Sequence, residues 1–308
     1  MMDMTASIVE ELTARFSEQV RQNVPLAPFT SARIGGPADV LVTAGSSDEL
    51  AAIIGLLWEA DASYLLLGGG SNVLVSDRGV RGITVLNRAK AVKFTSGTEP
   101  KVWSESGTVF TNLANRCASK GLAGVEWAST VPGTIGGAVY GNAGAFGGDM
   151  AHTLAQAEVL TPHGRETWSA ADFSYGYRTS ALKRGDKRGV VLAAEMSLRT
   201  ATKEELAVKI GGFSERRKAT QPPGASMGSM FKNPEGDAAG RLIEAAGLKG
   251  TRIGSAEVSP IHANFFVNHG KSKASDIRAL IELVQKTVRE KQGVELELEV
   301  ELAGDWQN

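Results

Sequence analysis

The chain has 308 residues, of which 42% are hydrophobic and 22% charged, a composition typical of a globular protein with about two or three domains. Its 33 basic and 34 acidic residues leave a net charge of −1, which gives no support for a nucleic-acid partner or an anionic membrane surface. The single cysteine, Cys117, excludes an intrachain disulfide framework. We expect a cytoplasmic protein without membrane insertion, because the sequence shows no signal-peptide pattern and no apolar run long enough to cross a bilayer. We also expect a monomer.

Helix and strand patterns alternate along the chain. Apolar residues about one helical turn apart predict helices at residues 8–20, 46–60, 110–120, 204–218, 238–246 and 275–292. Strand patterns lie at 39–43, 64–67, 73–75, 83–86, 91–94, 101–105, 156–160, 189–198, around 257, 265–268 and 294–302. The early order of strand, helix, strand and glycine loop is typical of a small α/β nucleotide-binding domain. A Pro/Gly break at 222–224 indicates a domain boundary nearby.

Local details add to these elements. Ser46 and Glu49 fit a capping box at the start of the second helix. Cys117 lies on the apolar face of its helix, which favours a buried core residue over a nucleophile. The stretch VELELEVEL at 294–302 alternates without interruption and predicts one strand with a solvated row of glutamates. Periodicity alone does not distinguish Glu299 from the other three glutamates of that row.

The stretch at 131–148, VPGTIGGAVYGNAGAFGG, contains seven glycines in eighteen residues. Such a density weakens an ordinary helix or strand, but it suits backbone that turns sharply or approaches an anion closely. A flexible linker would be polar and Ser-rich, whereas here Val131, Ile135, Val139 and Phe146 are interleaved. The pattern therefore favours a packed loop that cradles an anionic ligand.

Commoner motifs do not account for this stretch. The sequence GKS at 270–272 ends like a P-loop, but Phe265 occupies the position of that motif's first glycine. The glycines at 68–70 lack the third Rossmann glycine, because position 73 is a valine. The esterase-like pattern GASMG at 224–228 follows two prolines, which argues against the strand that such an elbow requires. The four histidines are scattered, so no metal site is expected.

Several segments together resemble a known family. LGGGSNVLVSD at 67–77 and the glycine stretch resemble the paired flavin-binding loops of FAD domains of the vanillyl-alcohol-oxidase type. TSARIGGPAD, YRTS, GSMFKNP and LEVELAG narrow the resemblance to the UDP-N-acetylenolpyruvoylglucosamine reductase (MurB) family, in its shorter type II form. LIEAAGLKG and HANFFVNHG also fit, and the segments run in family order over residues 22–304.

The resemblance implies an α+β fold in which a bipartite FAD-binding domain of the vanillyl-alcohol-oxidase/PCMH type precedes an α/β substrate-binding domain. We expect FAD-binding subdomains at 1–88 and 89–205, and a substrate-binding domain at 206–308. The family reduces the enolpyruvyl ether of a UDP-sugar, UDP-N-acetylglucosamine enolpyruvate, to UDP-N-acetylmuramate in peptidoglycan precursor synthesis. It uses NADPH as co-substrate and non-covalent FAD. Such a reaction needs a positioned acid, and it needs cationic or hydrogen-bonding groups where negative charge develops.

The resemblance also implies the catalytic residues. Ser229 occupies the position of the family's proton donor, although a serine beside a glycine is by itself typical of a turn. Arg178, preceded by Tyr177, falls on the family's YRxS motif, and its planar fork suits a bidentate hold on a carboxylate. Glu299 is selected by the family match alone. The chain departs from the family at Glu301, where an arginine is common, and this affects any ion pairing that would set the pKa of Glu299.

The remaining site residues follow from the same resemblance. Backbone N–H groups of both glycine loops are expected to wrap the FAD pyrophosphate, at Gly68, Gly69, Gly70, Ser71, Asn72, Pro132, Gly133, Thr134, Gly136 and Gly137. Further cofactor-binding candidates are Asn142, Gly144, Arg33 and Gly35. Arg216 and Arg217 are candidates for the flavin pyrimidine edge, although a basic helix end is an equally ordinary interpretation. Candidates for substrate binding are Tyr177, Lys232 and Asn233.

Two rival functions stay open at the level of sequence. Another FAD-dependent oxidoreductase of the same fold, acting on a sugar or an alcohol, would commonly tether its flavin through a histidine or cysteine. His152 lies just beyond the second glycine loop, and Cys117 is expected to be buried. A regulator that binds flavin or a nucleotide sugar without catalysis would have no need of Ser229, Arg178 and Glu299 together.

Overall fold

The structure is a computed structural model that describes residues 2–307, with side chains described from Ser7 onward. The chain forms two compact units. Unit 1 consists of Met1–Arg21, Leu41–Gly69 and Val85–Arg216, and unit 2 of Gln22–Val40, Gly70–Thr84 and Arg217–Asn308. None of the described helices combines the length and the apolar character that crossing a bilayer requires.

Helices form at all six predicted places, and the ends of five of them shift by one or two residues. The first, predicted at 8–20, is wrong in its extent, because the α-helix ends at Phe16 and Val20 begins a strand. The α-helices of the described residues are α1 (Met2–Phe16), α2 (Ser47–Glu59), α3 (Phe110–Ser119), α4 (Ile135–Gly141), α5 (Met150–Thr153), α6 (Ala181–Arg184), α7 (Lys203–Thr220), α8 (Ala239–Ala245) and α9 (Ala274–Gln292). The short helices α4, α5 and α6 are not predicted by apolar periodicity, because four to seven residues are too few to establish a period.

The capping box predicted for α2 forms only in part. The Ser46 hydroxyl accepts a hydrogen bond from the Glu49 N–H at 3.2 Å, as predicted. The Glu49 carboxylate, however, accepts from the N–H of Gly45 at 2.7 Å, one residue before the predicted donor. The start of the helix is therefore correct, and the reciprocal bond is displaced by one residue.

Eighteen short strands complete the part of the chain that the structure describes. They are β1 (Val20–Pro25), β2 (Pro37–Ala44), β3 (Tyr64–Leu67), β4 (Val73–Val75), β5 (Val80–Asn87), β6 (Val92–Thr95), β7 (Lys101–Glu105), β8 (Leu122–Ala123), β9 (Gly144–Ala145), β10 (Gly148–Asp149), β11 (Leu154–Thr161), β12 (Gly164–Ser169), β13 (Val190–Ser197), β14 (Arg199–Thr200), β15 (Arg252–Ile253), β16 (Ala256–Val258), β17 (Phe266–Asn268) and β18 (Glu301–Ala303). The first sheet has the order β1-β2-β5-β3. Strand β12 lies between the strands predicted at 156–160 and 189–198, where the sequence analysis predicts no strand.

Unit 1 is built on a five-stranded antiparallel sheet with the order β12-β11-β13-β7-β6. Apolar residues of this sheet and of helices α3 and α4 form one buried cluster, which includes Val102, Phe110, Leu113, Cys117, Ile135, Val139, Trp168 and Met196. The buried position predicted for Cys117 is confirmed, and burial raises the pKa of its thiol to about 12. Val131, Ile135 and Val139 of the 131–148 stretch also belong to this packed cluster, and Phe146 stacks on Phe213, so the stretch is not a linker.

Unit 2 contains the three-stranded antiparallel sheet β15-β16-β17 and the helices α8 and α9. The apolar stripe predicted on α9 is buried, at Ile277, Leu280, Ile281, Val284 and Val288. Gly293 ends that helix in the left-handed conformation at φ +68, as its position after the stripe predicts. A separate pair of parallel strands, β4 and β18, joins Val73 to Glu301 in register.

The single strand predicted at 294–302 is wrong in its extent. Only Glu301–Ala303 form strand β18, and residues 294–300 meet the 230–232 segment through the isolated bridge between Phe231 and Leu298. The alternation persists in burial, since Leu296 and Val300 are buried. The ladder is interrupted because the stretch changes its partner, from residues 230–232 to β4, within a few residues.

Candidate active site

Within unit 1 the two glycine loops pack against each other. A Cβ atom on Gly68 would lie 2.4 Å from the Thr134 hydroxyl oxygen, and one on Gly69 would lie 2.9 Å from the Cα of Gly133. Real Cβ contacts are longer than this, so neither position accepts a side chain unless the facing loop moves. The two loops that the sequence singles out separately are therefore one structural feature.

The second loop leads directly into α4. The N–H groups of Ile135 and Gly136 donate to the carbonyls of Thr108 and Ser106 at 3.0 and 2.8 Å. A Cβ on Gly136 would lie 2.9 Å from the Ser106 Cβ, so protein packing explains that glycine. Gly137 differs, because it is exposed and its Cβ would meet nothing closer than the Thr134 hydroxyl at 3.9 Å. An exposed glycine with open space in front of it fits close approach by a ligand such as the FAD pyrophosphate.

Asn142 ends α4 in the left-handed conformation at φ +47. Its side chain donates to the Gly176 carbonyl at 2.9 Å and accepts from the Ala151 N–H at 3.0 Å. Both ends of the amide are thus engaged by protein backbone, which gives the residue a structural role in the loop. Gly144 follows in strand β9, where a Cβ would lie 2.9 Å from the Cβ of Asp149.

The YRTS segment forms a tight turn tied to the glycine stretch. The backbones of Gly176 and Thr179 pair, and Arg178 sits between them in the left-handed region at φ +55. Its guanidinium donates to the Gly144 carbonyl at 2.8 Å and lies over the ring of the exposed Tyr177, 5.4 Å from the centroid. A non-glycine residue in this conformation costs about 1–2 kcal/mol, and such strain concentrates at functional sites.

Within unit 2 the first glycine loop continues against the TSARIGG turn. Gly70 has φ +58, and a Cβ there would lie 2.1 Å from the Phe29 carbonyl oxygen. The buried Thr30 hydroxyl donates to the Ile34 carbonyl at 2.8 Å and accepts from the Ile34 N–H at 3.1 Å. This closed turn holds Arg33 exposed at φ +56.

Gly35 follows Arg33 and Ile34 in the same turn of unit 2. It has φ +148, and a Cβ there would lie 3.1 Å from the Cβ of Val75.

Ser229 and Glu299 lie on neighbouring segments of unit 2. The Glu299 N–H donates to the Met230 carbonyl at 2.9 Å, directly after Ser229. On the other side of the segment, the Met230 N–H donates to the backbone carbonyl of Asn264 at 2.8 Å. The Asn264 side chain accepts from the Phe231 N–H at 2.9 Å and donates to the Phe231 carbonyl at 2.8 Å. The fold therefore places the backbones of these two candidates side by side.

The structure distinguishes Glu299 from the other glutamates of its row by its burial. Glu299 is half-buried, whereas Glu295, Glu297 and Glu301 are exposed. The Asn72 side chain donates to the Glu299 carbonyl at 3.0 Å, and the Glu301 N–H donates to the Asn72 carbonyl at 3.0 Å. The Asn72 amide, which the sequence assigns to the cofactor, thus holds the backbone that carries Glu299.

Lys232, Asn233 and Arg217 also have protein environments of their own. The Lys232 ammonium forms an ion pair with the exposed Glu297 carboxylate. The Asn233 side chain accepts from the Ala239 N–H at 3.0 Å, at the start of α8. Arg217 is half-buried near the end of α7, and burial lowers the pKa of its guanidinium from the usual value. Contacts of these three residues with a ligand stay predictions.

Comparison with known proteins places the chain in a family. Residues 38–169 match an FAD binding domain, and residues 219–303 match the C-terminal domain of UDP-N-acetylenolpyruvoylglucosamine reductase. A reductase of that name from Chloroflexus aggregans is 44% identical over 286 residues, covering 91% of this chain and 96% of the relative. One from Bacillus subtilis is 39% identical over 299 residues, covering 96% and 98%. The chain belongs to the UDP-N-acetylenolpyruvoylglucosamine reductase (MurB) family.

A solved MurB structure supports the same assignment. The crystal structure of UDP-N-acetylenolpyruvylglucosamine reductase from Thermus caldophilus matches with a TM-score of 0.77 and 35% identity, covering 91% of this chain and 97% of that chain. The predicted fold class is thereby confirmed: an FAD-binding domain of the vanillyl-alcohol-oxidase/PCMH type with a C-terminal MurB domain. The type II subdivision stays a prediction.

Within this MurB chain, sequence reasoning misses the residue that organises the Ser229 segment. Asn264 lies in the apolar run ANFFV and is only 2% exposed. A single amide within an apolar strand pattern is the signal that points to it, because buried polar side chains need hydrogen-bond partners. Ser180, also fully buried, is a smaller omission; its hydroxyl donates to the Tyr140 carbonyl at 2.6 Å and anchors the YRTS turn.

Proposed function

We propose that this protein is an NADPH-dependent, FAD-mediated reductase that converts UDP-N-acetylglucosamine enolpyruvate to UDP-N-acetylmuramate, a step in peptidoglycan precursor synthesis. Relatives that carry the reductase name, at 44% and 39% identity over more than nine-tenths of the chain, support the substrate and the reaction class. The observation that carries the proposal is the backbone pairing that sets Ser229 beside Glu299, in a chain with an FAD-binding domain.

The glycine loops are the proposed cofactor site. We assign the FAD pyrophosphate to the backbone N–H groups of Gly68, Gly69, Gly70, Ser71 and Asn72 and of the 132–137 loop. The exposed, unobstructed Gly137 supports this assignment, because protein packing gives no reason for a glycine there. FAD, when bound, supplies hydride transfer between NADPH and the substrate. The task of the loops is to hold and orient it.

The proton is assigned to Ser229. Addition of hydride to the terminal alkene carbon leaves negative charge on an enol(ate) beside the carboxylate, and the Ser229 hydroxyl then donates its proton to the neighbouring carbon. Arg178 is assigned to the carboxylate, where a planar guanidinium offers two parallel hydrogen bonds. Glu299 is assigned, with Arg178, to stabilise and orient the enol(ate). The left-handed conformation of Arg178 is consistent with this role, because strained backbone concentrates at functional sites.

Substrate recognition is assigned to Lys232, Asn233 and Tyr177. The ion pair of Lys232 with Glu297 involves an exposed carboxylate, and such pairs contribute little free energy. Lys232 can therefore exchange Glu297 for a substrate diphosphate at small cost. We also propose the domain division at 1–88, 89–205 and 206–308 and a monomeric state.

The test of the function is direct. The purified protein should be yellow, NADPH should bleach the flavin under anaerobic conditions, and the enolpyruvyl UDP-sugar should restore the oxidised spectrum. Ser229→Ala should leave bleaching unchanged and slow reoxidation by roughly 100- to 10,000-fold, the usual contribution of a positioned proton donor. Reoxidation of S229A at the wild-type rate would show that the serine assignment is wrong.

A covalent-flavin oxidase is the rival that the structure helps to test. Cys117 is fully buried with a raised thiol pKa, which makes it a poor tether. The exposed His152 ring is hydrogen-bonded to Asp149 at 2.6 Å. Flavin that is released intact when the protein is denatured supports the reductase, and flavin that stays on the chain supports the oxidase.

A further inference from the structure

We propose that Asn264 is a positioning residue for the reaction: its side chain fixes the backbone of Phe231, two residues after Ser229, and thereby sets the direction in which the Ser229 hydroxyl delivers its proton. This inference rests on the proposed role of Ser229. It adds a residue that acts through the proton donor without touching the substrate.

The geometry is that of a clamp. One residue, Asn264, makes three hydrogen bonds to two consecutive residues, with the backbone N–H of Met230 and with both the N–H and the carbonyl of Phe231, at 2.8 to 2.9 Å. An amide side chain offers one acceptor and one donor group in a fixed plane, so it can take the place of a neighbouring strand. The clamp begins one residue after Ser229.

The 225–231 segment needs such a clamp because it has no continuous ladder. Its strand-like contacts are the isolated bridges of Ala225 with Asn268, Ser229 with Phe265 and Phe231 with Leu298. Gly224 and Gly228, at φ +107 and +79, allow the backbone on either side of Ala225 to vary. Placement of Ser229 therefore depends on a few specific hydrogen bonds, of which Asn264 supplies three.

The clamp itself is rigid. Asn264 is 2% exposed, and its backbone N–H donates to the Nδ1 of His262 at 3.3 Å. Phe231 is fully buried, with its ring edge-to-face on Phe266 at 6.1 Å between centroids. In this apolar surrounding an unpaired amide or carbonyl is costly, so the two bonds to Phe231 hold one arrangement strongly.

A purely structural asparagine is the alternative, and the chain provides a matched control for it. Asn268 is 8% exposed in the same unit. Its side chain donates to the Ala32 carbonyl at 2.8 Å and accepts from the N–H groups of Gly270 and Ser272 at 2.7 and 3.1 Å. Its side chain makes three hydrogen bonds, against two for the side chain of Asn264, and none of the three holds the 229–231 backbone.

The experiment measures both half-reactions by stopped flow on the FAD-loaded protein, per bound flavin and well below the melting temperature. Asn264→Ala should reduce flavin with NADPH within about twofold of wild type, and its reoxidation by the enolpyruvyl UDP-sugar should be about 100-fold slower, the usual effect of a misplacement near 1 Å. Asn268→Ala should stay within about threefold in both half-reactions. Added to Ser229→Ala, N264A should slow reoxidation by less than about threefold further, because the group through which it acts is already gone.

Asn264→Asp gives a second readout that does not depend on N264A folding well. A neutral carboxylic acid can accept from the Phe231 N–H and donate to the Phe231 carbonyl, whereas the carboxylate has no proton to donate. The reoxidation rate of N264D should therefore rise as pH falls through the pKa of the new carboxyl, relative to wild type measured over the same range. A rate ratio that does not change with pH contradicts the clamp.

The outcomes separate this inference from the proposed function. If S229A reoxidises normally, the serine assignment is wrong, and the positioning role of Asn264, which rests on it, is wrong as well. If S229A is slow and N264A is normal, the clamp alone is wrong. A loss in N268A equal to that in N264A, or a full 100-fold loss when N264A is added to S229A, also overturns the clamp.

Discussion

The glycine loop at 68–72 and the 229–231 segment fix their backbones by opposite means. In the loop, side chains are missing where other backbone comes close: a Cβ on Gly70 would lie 2.1 Å from the Phe29 carbonyl oxygen. In the segment, the Asn264 side chain supplies the hydrogen bonds that a neighbouring strand would otherwise make, since its amide bonds both the N–H and the carbonyl of Phe231. Steric exclusion is close to all-or-none, whereas hydrogen bonds can be weakened by degrees.

This difference indicates how each region fails. A change in the loop should remove the fold or the cofactor, because the backbone has no second position available. A change around the 229–231 segment should leave the cofactor in place and reduce the rate. The variants below test that contrast, beginning with the largest expected effect.

Gly70→Ala should be the most damaging single change in the loop. The alanine would be held at φ +58, which costs about 1–2 kcal/mol, and its Cβ would overlap the Phe29 carbonyl, which adds about 1–3 kcal/mol. We expect a loss of roughly 3 kcal/mol in the free energy of unfolding, measured with urea. Gly185→Ala is the control, since Gly185 has φ +79 with nothing within 4 Å of its Cβ and should lose only the conformational part.

Glu299→Gln should show whether the half-buried glutamate contributes to flavin reoxidation and its exposed neighbours do not. If Glu299 orients the enol(ate), removing its charge should slow flavin reoxidation by about 100-fold, close to 2.7 kcal/mol. Glu295→Gln should stay within about twofold, because Glu295 is exposed and its ion pair with Arg289, at 3.3 Å, is a surface pair. Equal rates in the two variants would remove Glu299 from the site.

Gly137→Ala should weaken flavin binding without destabilising the fold. Alanine at this third residue of α4 should stabilise the flavin-free protein by up to about 0.5–1 kcal/mol, since the space in front of it is open. If FAD lies there, its affinity should fall by about tenfold, measured by flavin titration. Gly141→Ala, also with nothing within 4 Å of its Cβ in the same helix, should change flavin affinity by less than about twofold. Unchanged affinity in G137A would place FAD elsewhere.

The smallest expected effect is a dependence of stability on pH at His262, whose Nδ1 accepts the Asn264 N–H. Burial, with a smaller contribution from Lys249, lowers the pKa of this imidazole, while Glu244 opposes the shift. Below about pH 6.5 the unfolded chain takes up the proton more readily than the folded protein does. The contribution of His262 is therefore full above that pH and declines as pH falls toward the lowered pKa. Urea unfolding from pH 8 to pH 5 should show a shallower decline in His262→Gln than in wild type.

The packing of the glycine loops is predictable from the sequence because its signal is local. A density of glycines in an apolar context favours a packed ligand loop over a linker, and the joint match of LGGGSN and VPGTIGG points to one family. The segment around Ser229 has no such signal. Its arrangement depends on contacts between residues far apart in the chain, such as Met230 with Asn264 and with Glu299. The split of residues 294–302 between two partners is hidden for the same reason, since perfect alternation predicts one strand.

The parallel pairing of β4 with β18 has a consequence for synthesis of the protein. Val73 pairs with Glu301, and among the described residues no other strand pairs with β4. The ribosome must therefore add well over two hundred residues after β4 before its partner exists, which takes about 10–45 s at usual elongation rates. During that interval β4, the strand that follows the GGGSN loop, has no strand partner. Chains that end before residues 301–303 should emerge with the 68–72 glycine loop incompletely supported and with a longer exposure to chaperones.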